Sequence, residues 1–218
     1  MELTGYGGVG KTTLYERVVQ NLADAGVPCN ERGPARSLSA RVVGRVATRL
    51  ELLESYRLIA KARPTNWTHL KRYARRFSSL QLQYRRATHG SGIYLFHEGV
   101  FQLLVGLFVC SRQPDMLRAS ELLLNRLPLP HLVVLIEATV DAVQRRRSVR
   151  ARPGENVILD VEEKEAIAAL WSTVQHWATQ TDAMRFVTIR NELVDAPDEV
   201  AGRITTAILA HYSDADGT

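Results

Sequence analysis

Hydrophobic positions along this chain switch between two periods, and the switches mark out alternating strands and helices. Met1–Thr4 is a short, largely apolar start, followed at once by the glycine-crowded stretch Gly5-Tyr6-Gly7-Gly8-Val9-Gly10. From Thr13 to Ala25, Leu14, Val18 and Leu22 recur four apart, one stripe of a helix that Gly26 ends. Val27–Asn30 reads as a short strand before the loop Glu31-Arg32-Gly33-Pro34. Over 37–62, Val42, Val43, Val46, Leu50 and Leu53 keep helical spacing, and Pro64 closes the segment. Trp67 to Thr88 predicts a second helix, with Leu70, Tyr73, Phe77 and Leu80 apolar and arginines along one side.

Gly92–His97 is rich in strand formers, and Pro114 can open a helix that runs to about Arg126. The uninterrupted run Leu132–Ile136 suits a parallel strand covered on both faces. A helix follows from Thr139 to about Val149. Asp160 with Glu163 three residues on predicts another helix, with Ile167, Leu170, Trp171, Val174 and Trp177 on one core-facing side. Arg185–Ile189 reads as a last strand and Pro197–His211 as a last helix, before a polar tail from Ser213. Strands near 1–4, 27–30, 92–97, 132–136 and 185–189 alternating with helices imply an α/β fold. The expected form is a single domain over 1–218, a five-stranded parallel sheet flanked by helices, with a helical cover at about 37–88.

Composition narrows the class. The chain has 218 residues, 45% hydrophobic and 23% charged, which excludes a disordered polymer and suits one globular domain. Cys29 and Cys110 are the only cysteines and form no CxxC pair, so they read as core thiols of a protein from a reducing compartment. Glycines and Lys11 interrupt the N-terminus before a secretory apolar region can form. The longest apolar stretch, Val100 to Cys110, is too short for a bilayer and is broken by Gln102 and Gly106. A cytoplasmic protein with no membrane partner is expected.

Chemistry enters at the glycine stretch. Gly5-(x)4-Gly10-Lys11-Thr12 matches the phosphate-binding pattern GxxxxGK[ST], placed between a strand and a helix as its mechanism demands. Glycines let successive N–H groups curl inward at phosphate oxygens, and the helix N-terminus adds partial positive charge. Gly5, Gly7, Gly8, Val9, Gly10, Lys11, Thr12 and Thr13 are therefore candidates for holding ATP or another nucleoside triphosphate. Lys11 should reach the β- and γ-phosphates, and the Thr12 hydroxyl should ligate Mg2+. The four lysines form no Asn-Lys pair, which excludes the base-reading motif of GTPases. Tyr6 stands where ParA/MinD-type ATPases carry a loop lysine, and 218 residues leave no room for the extra domains of large signalling NTPases.

What remains resembles the P-loop nucleoside and nucleotide kinases over most of the chain. The phosphate loop begins almost at the N-terminus, and Glu31-Arg32-Gly33-Pro34 looks like the Arg-Glu-Pro-Gly loop of thymidylate kinases with its order altered. The helix bearing Arg72, Arg75 and Arg76 precedes the third strand, as does a phosphate-binding Arg in that family. The run from Val133 to Glu155 is similar to a kinase fourth strand, helix and Arg-rich lid, here about 145–156. One motif departs. Thymidylate kinases end the third strand with Asp-Arg, whereas Glu98-Gly99 stands here, similar to uridine and pantothenate kinase relatives that phosphorylate a hydroxyl.

The resemblance implies roles for individual residues. Glu98 would act as general base toward a hydroxyl or position Mg2+, because a hydroxyl acceptor must lose a proton. Arg32, Arg75 and Arg76 would bind the acceptor, and Asn191 near Leu193 would contact the base of the donor. Arg146 and Arg150 would neutralise the transferring phosphoryl group, and Arg147 would touch the donor.

Arg145, Arg146, Arg147, Arg150 and Arg152 fall within eight residues, and their five charges match the whole net charge of +5. A solvated helix end and a nucleic-acid contact are the alternatives to a lid. The rest of the chain is electrically balanced and carries no nucleic-acid motif, so the lid is preferred. The reading is an ATP- and Mg2+-dependent kinase acting on a small molecule, most simply the hydroxyl of a nucleoside, with no nucleic-acid partner and with a homodimer allowed. A nucleoside monophosphate kinase is the alternative within this class. A P-loop ATPase working as a binding switch is the alternative outside it.

Overall fold

A strand covered on both faces has no side to leave polar, and the aliphatic run at 132–136 accordingly lies in the middle strand of a three-stranded sheet. The computed structural model describes residues 1–5, 7–30, 53–60, 66–88, 92–97, 99–111, 129–150, 168, 171–172, 175 and 184–216. Here β1 (Glu2–Gly5) pairs in parallel with β4 (Leu132–Glu137), which pairs in parallel with β5 (Arg185–Arg190). A second parallel pair joins β2 (Cys29–Asn30) to β3 (Ile93–Tyr94). The two ladders meet at Phe96, which bridges Glu2: the Leu3 N–H donates to the Phe96 carbonyl at 2.7 Å, and the Phe96 N–H to the Met1 carbonyl at 3.0 Å. Among the described residues the expected five-stranded sheet is thus a three-stranded sheet, β1-β4-β5, and a two-stranded one, β2-β3, in contact through this isolated bridge.

Alternation along β4 divides the core into two layers. Leu132, Val134 and Ile136 face α1 (Lys11–Asp24) and α5 (Pro197–Asp216), packing with Leu14, Val18, Leu22, Ile204 and Ile208. Val133 and Leu135 face the opposite layer, built with α2 (Trp67–Thr88) and α3 (Val100–Ser111) through Phe77, Leu80, Leu104 and Leu107. Trp171 is buried there beside Phe101 and Phe186, as expected of a core tryptophan. The last helix of the site, α4 (Val140–Arg150), follows β4 directly.

Several elements differ from their sequence expectation. The run at 100–110 has no polar stripe, so periodicity does not announce a helix, yet its length suits one and it forms α3. Only Ile93–Tyr94 of the expected 92–97 strand is regular, with Phe96 an isolated bridge. Helix α5 continues past His211 to Asp216, its final turns including the Ser213 hydroxyl donating to the Leu209 carbonyl at 3.0 Å. The expected elements at 37–52, 114–126 and most of 160–177, including Trp177, lie outside the described residues, as do the loop 31–34 and the lid beyond 150; residues 53–60 are helical. Among the described residues no helix is long and apolar enough to cross a membrane.

One charged group interrupts the α2/α3 layer. Glu2 is fully buried, and its carboxylate accepts hydrogen bonds from the Tyr84 hydroxyl at 2.8 Å and the Phe101 and Gln102 N–H groups at 3.1 and 3.3 Å. Burial pushes its carboxyl up to about 7, against the pull of these hydrogen bonds, led by Tyr84. An acid whose folded value is raised binds more protons folded than unfolded, so Glu2 lowers stability as pH climbs from about 4.5 to about 7. Urea unfolding at about pH 5 and about pH 8 checks this. Wild type should lose more stability than Glu2→Gln across that interval; equal losses would contradict the buried, ionising carboxyl.

Candidate phosphate-binding site

Between β1 and α1 the chain must turn sharply while passing close to β4. A Cβ on Gly5 would lie 2.4 Å from the Ile136 carbonyl oxygen, so only glycine fits at the end of β1. Gly10 caps α1 with φ 92°, a left-handed conformation that other residues adopt only with strain. Helix α1 has no side-chain cap and no acidic residue in its first turn, so its partial positive charge faces the loop uncompensated. Lys11 and Thr12 open the helix; the Lys11 ammonium donates to the Gly5 carbonyl at 2.8 Å, bridging the two ends of the loop.

A loop whose N–H groups turn inward must turn carbonyls outward, and those carbonyls need donors. Asn191 supplies one, its Nδ2 donating to the Val9 carbonyl at 2.6 Å. Arg146 spans the same corner: it donates to the Asn191 carbonyl at 2.9 Å, the Glu192 carbonyl at 2.8 Å, Asn191 Oδ1 at 3.3 Å and the Val9 carbonyl at 3.4 Å. Arg147 Nε donates to the Gly7 carbonyl at 3.0 Å. Arg146 and Arg147 stand on α4 and Asn191 directly after β5, so two elements next to the loop hold its outer side.

The start of α4 is itself anchored. The Glu192 carboxylate accepts from the Thr139 hydroxyl at 2.7 Å and from its N–H at 3.1 Å, which keeps the Glu192 carboxyl below its usual range. Thr139 in turn accepts from the Ala142 N–H at 3.4 Å, capping the helix. These bonds tie the β4–α4 turn, and with it the start of the helix that carries Arg146 and Arg147, to the segment after β5.

Lys11, Thr12 and Thr13 thus stand together with the loop glycines, as the sequence motif requires. Arg146, Arg147 and Asn191 are also brought there. Asn191 is buried and bonded to the loop and to Arg146, and Arg146 donates to four backbone and amide oxygens. Outward carbonyls draw the nearest planar donors. Arg75 is exposed and Arg76 half-buried on α2. Glu98 and Arg32 lie outside the described residues, and so does the side chain of Arg150. Glu2 and Tyr84 were not singled out by the sequence reading, although a carboxylate in a four-residue strand before a phosphate loop is a visible anomaly.

The sheet also has a step beside the loop. β1 continues from Glu2 to Gly5, whereas β3 and its bridge end at Phe96, opposite Glu2. Three residues at about 3.3 Å each set the last described bridge of β3 roughly 10 Å below the end of β1. Ligands of open α/β sheets bind at such carboxyl-end crevices.

The chain has an α/β fold, a parallel sheet between helical layers. It is similar to a deoxyadenosine kinase from M. mycoides with bound dCTP, at 13% identity and a TM-score of 0.51, over 96% of this chain and 100% of that one. No protein-family model matches the chain, and no curated protein sequence matches it.

Replacing Asn191 by Leu keeps most of the volume but removes the donor to the buried Val9 carbonyl, a loss of about 1–3 kcal/mol. Titration with a fluorescent ATP analogue should show binding weakened roughly tenfold or more. Unchanged affinity would show that the loop holds its shape without Asn191.

Proposed function

We propose that this protein is an ATP- and Mg2+-dependent phosphotransferase that moves the γ-phosphoryl group to a hydroxyl of a nucleoside or a related small metabolite. The observation that carries this is the glycine loop between β1 and α1, whose outward carbonyls are held by Arg146, Arg147 and Asn191 while its helix N-terminus stays uncapped. The fold likeness to a deoxyadenosine kinase supports the choice of a kinase over other users of such loops.

In this reading the loop amides and Lys11 hold the β- and γ-phosphates of ATP or another nucleoside triphosphate. Thr12 is exposed at the start of α1. One hydroxyl beside phosphate oxygens fits Mg2+, which keeps most of its waters. Mg2+ held there by the Thr12 hydroxyl would supply charge neutralisation to the donor phosphates. Glu98 takes the proton of the acceptor hydroxyl as its oxygen bonds to the γ-phosphorus and the bond to the β-phosphate oxygen breaks. Arg32, Arg75 and Arg76 serve the acceptor. Arg150 carries the lid charge over the transferring group, with the lid spanning about 145–156 and the helical cover about 37–88. Arg146 and Asn191 hold the loop instead of touching the reacting atoms.

Incubation with ATP, Mg2+ and separate pools of nucleosides, nucleoside monophosphates and small alcohols tests the reading by mass spectrometry. A hydroxyl-bearing pool should gain about 80 Da per molecule, and Lys11→Met should lower the rate by a factor of about 100 or more. ADP formed with no pool gaining mass would replace the kinase with a nucleotide-dependent switch. Gain by monophosphates alone would remove Glu98 as a base on a hydroxyl.

A further inference from the structure

The first turn of α3 is capped from another element. Gly99 precedes the helix, and its carbonyl accepts the Leu103 N–H at 3.2 Å, which makes it the N-cap residue. A capping side chain ordinarily accepts the N–H groups of the second and third helical residues, and glycine has none to offer. Here Glu2 does so from β1, its Oε1 taking the Phe101 N–H at 3.1 Å and the Gln102 N–H at 3.3 Å. Tyr84 completes the set from α2, accepting the Val100 N–H at 3.3 Å and donating to Glu2 Oε2 at 2.8 Å.

The space is filled to the point where no side chain fits at 99. A Cβ there would lie 2.2 Å from the Glu2 carboxyl carbon and 2.4 Å from the Tyr84 hydroxyl oxygen. Glycine at 99 and glutamate at 2 are therefore complementary: the missing cap of one is the buried carboxylate of the other. The strand that carries this carboxylate also carries the phosphate loop three residues later.

We propose that Glu2 is a positioning residue for phosphoryl transfer, a surrogate helix cap that locks the turn between β3 and α3 to the strand beneath the phosphate loop. The proposal rests on the kinase reading for its consequence, because Glu98 precedes Gly99 directly in the chain. Its geometry stands without that reading. Glu2 touches neither donor nor acceptor; it acts through Gly99, Phe101, Gln102 and Tyr84. Packing alone would be served by any side chain of this length, whereas capping requires acceptor oxygens. That difference separates the two roles experimentally.

Two variants and two readouts test it. Glu2→Met keeps length and removes both acceptors; Glu2→Gln keeps one acceptor oxygen for the two helix amides. By hydrogen–deuterium exchange of the intact protein, Glu2→Met should lose protection at Phe101 and Gln102 while α1 and α5 stay protected, and Glu2→Gln should retain it. Equal protection in all three proteins overturns the capping role whatever the enzyme does. In the kinase assay, Glu2→Met should lower kcat about tenfold or more, with the affinity for a fluorescent ATP analogue within about twofold of wild type. Glu2→Gln should recover most of the rate. If kcat is unchanged in Glu2→Met although protection is lost, the cap is structural and the positioning claim falls. If wild type transfers phosphate to no acceptor pool, the kinase reading falls and takes the positioning claim with it, while the exchange result still judges the cap. Loss of protection across the whole chain in Glu2→Met would mean global unfolding, and Glu2→Gln then decides alone: lost protection at Phe101 and Gln102 rejects the cap, and retained protection with wild-type kcat supports it.

Discussion

The bond from Asn191 to the Val9 carbonyl, 2.6 Å long, is the constraint around which the site is arranged. A peptide group cannot point its N–H inward without pointing a carbonyl outward, and an outward carbonyl buried against protein needs a donor. The sequence places such donors on the segments that follow β4, the neighbour of β1, and β5, the strand beyond it. Arg146 joins them by donating to Val9, Asn191 and Glu192 at once, and Arg147 holds Gly7. The phosphate cradle is in this sense a property of three strand ends rather than of the glycine motif alone.

Two polar devices set into apolar surroundings hold the rest in register. On one side of β1 the donors above fix the loop; on the other, Glu2 and Tyr84 fix the start of α3. The second device is expensive in solvation terms, as the raised value of the Glu2 carboxyl records. A buried charge of this kind is weak evidence for stability, because an apolar residue would avoid the desolvation. Its presence is better explained by the two helix amides and the tyrosine hydroxyl that need an oxygen in that place.

Much of the fold is legible in the residues. The helix expected from Trp67 to Thr88 is observed with those bounds, because an amphipathic stripe and the flanking breakers agree. Leu132–Ile136 is central as its uninterrupted aliphatic run requires, and β4 extends it by one residue. The run at 100–110 offered no period to read, so its helix had to come from tertiary context. The site was legible where chemistry is local, in Gly5 to Thr12. It was not legible where a residue acts across the chain: Arg146 and Asn191 look like ligand contacts in sequence and are loop donors in space, 137 and 182 residues from Val9. Glu2 lies 99 residues from the helix turn it caps, and no local pattern announces such a partner. The five clustered arginines, which equal the net charge, likewise have at least two members serving backbone carbonyls.

The central claim is that the cradle is formed before nucleotide arrives. A crystal structure with a non-hydrolysable ATP analogue and Mg2+ tests it most directly. The account predicts the β-phosphate inside the loop, within about 3.2 Å of its N–H groups, with the Asn191–Val9 and Arg147–Gly7 bonds intact. Phosphates bound elsewhere, or a loop whose carbonyls have left Asn191 and Arg147 to admit them, would contradict it.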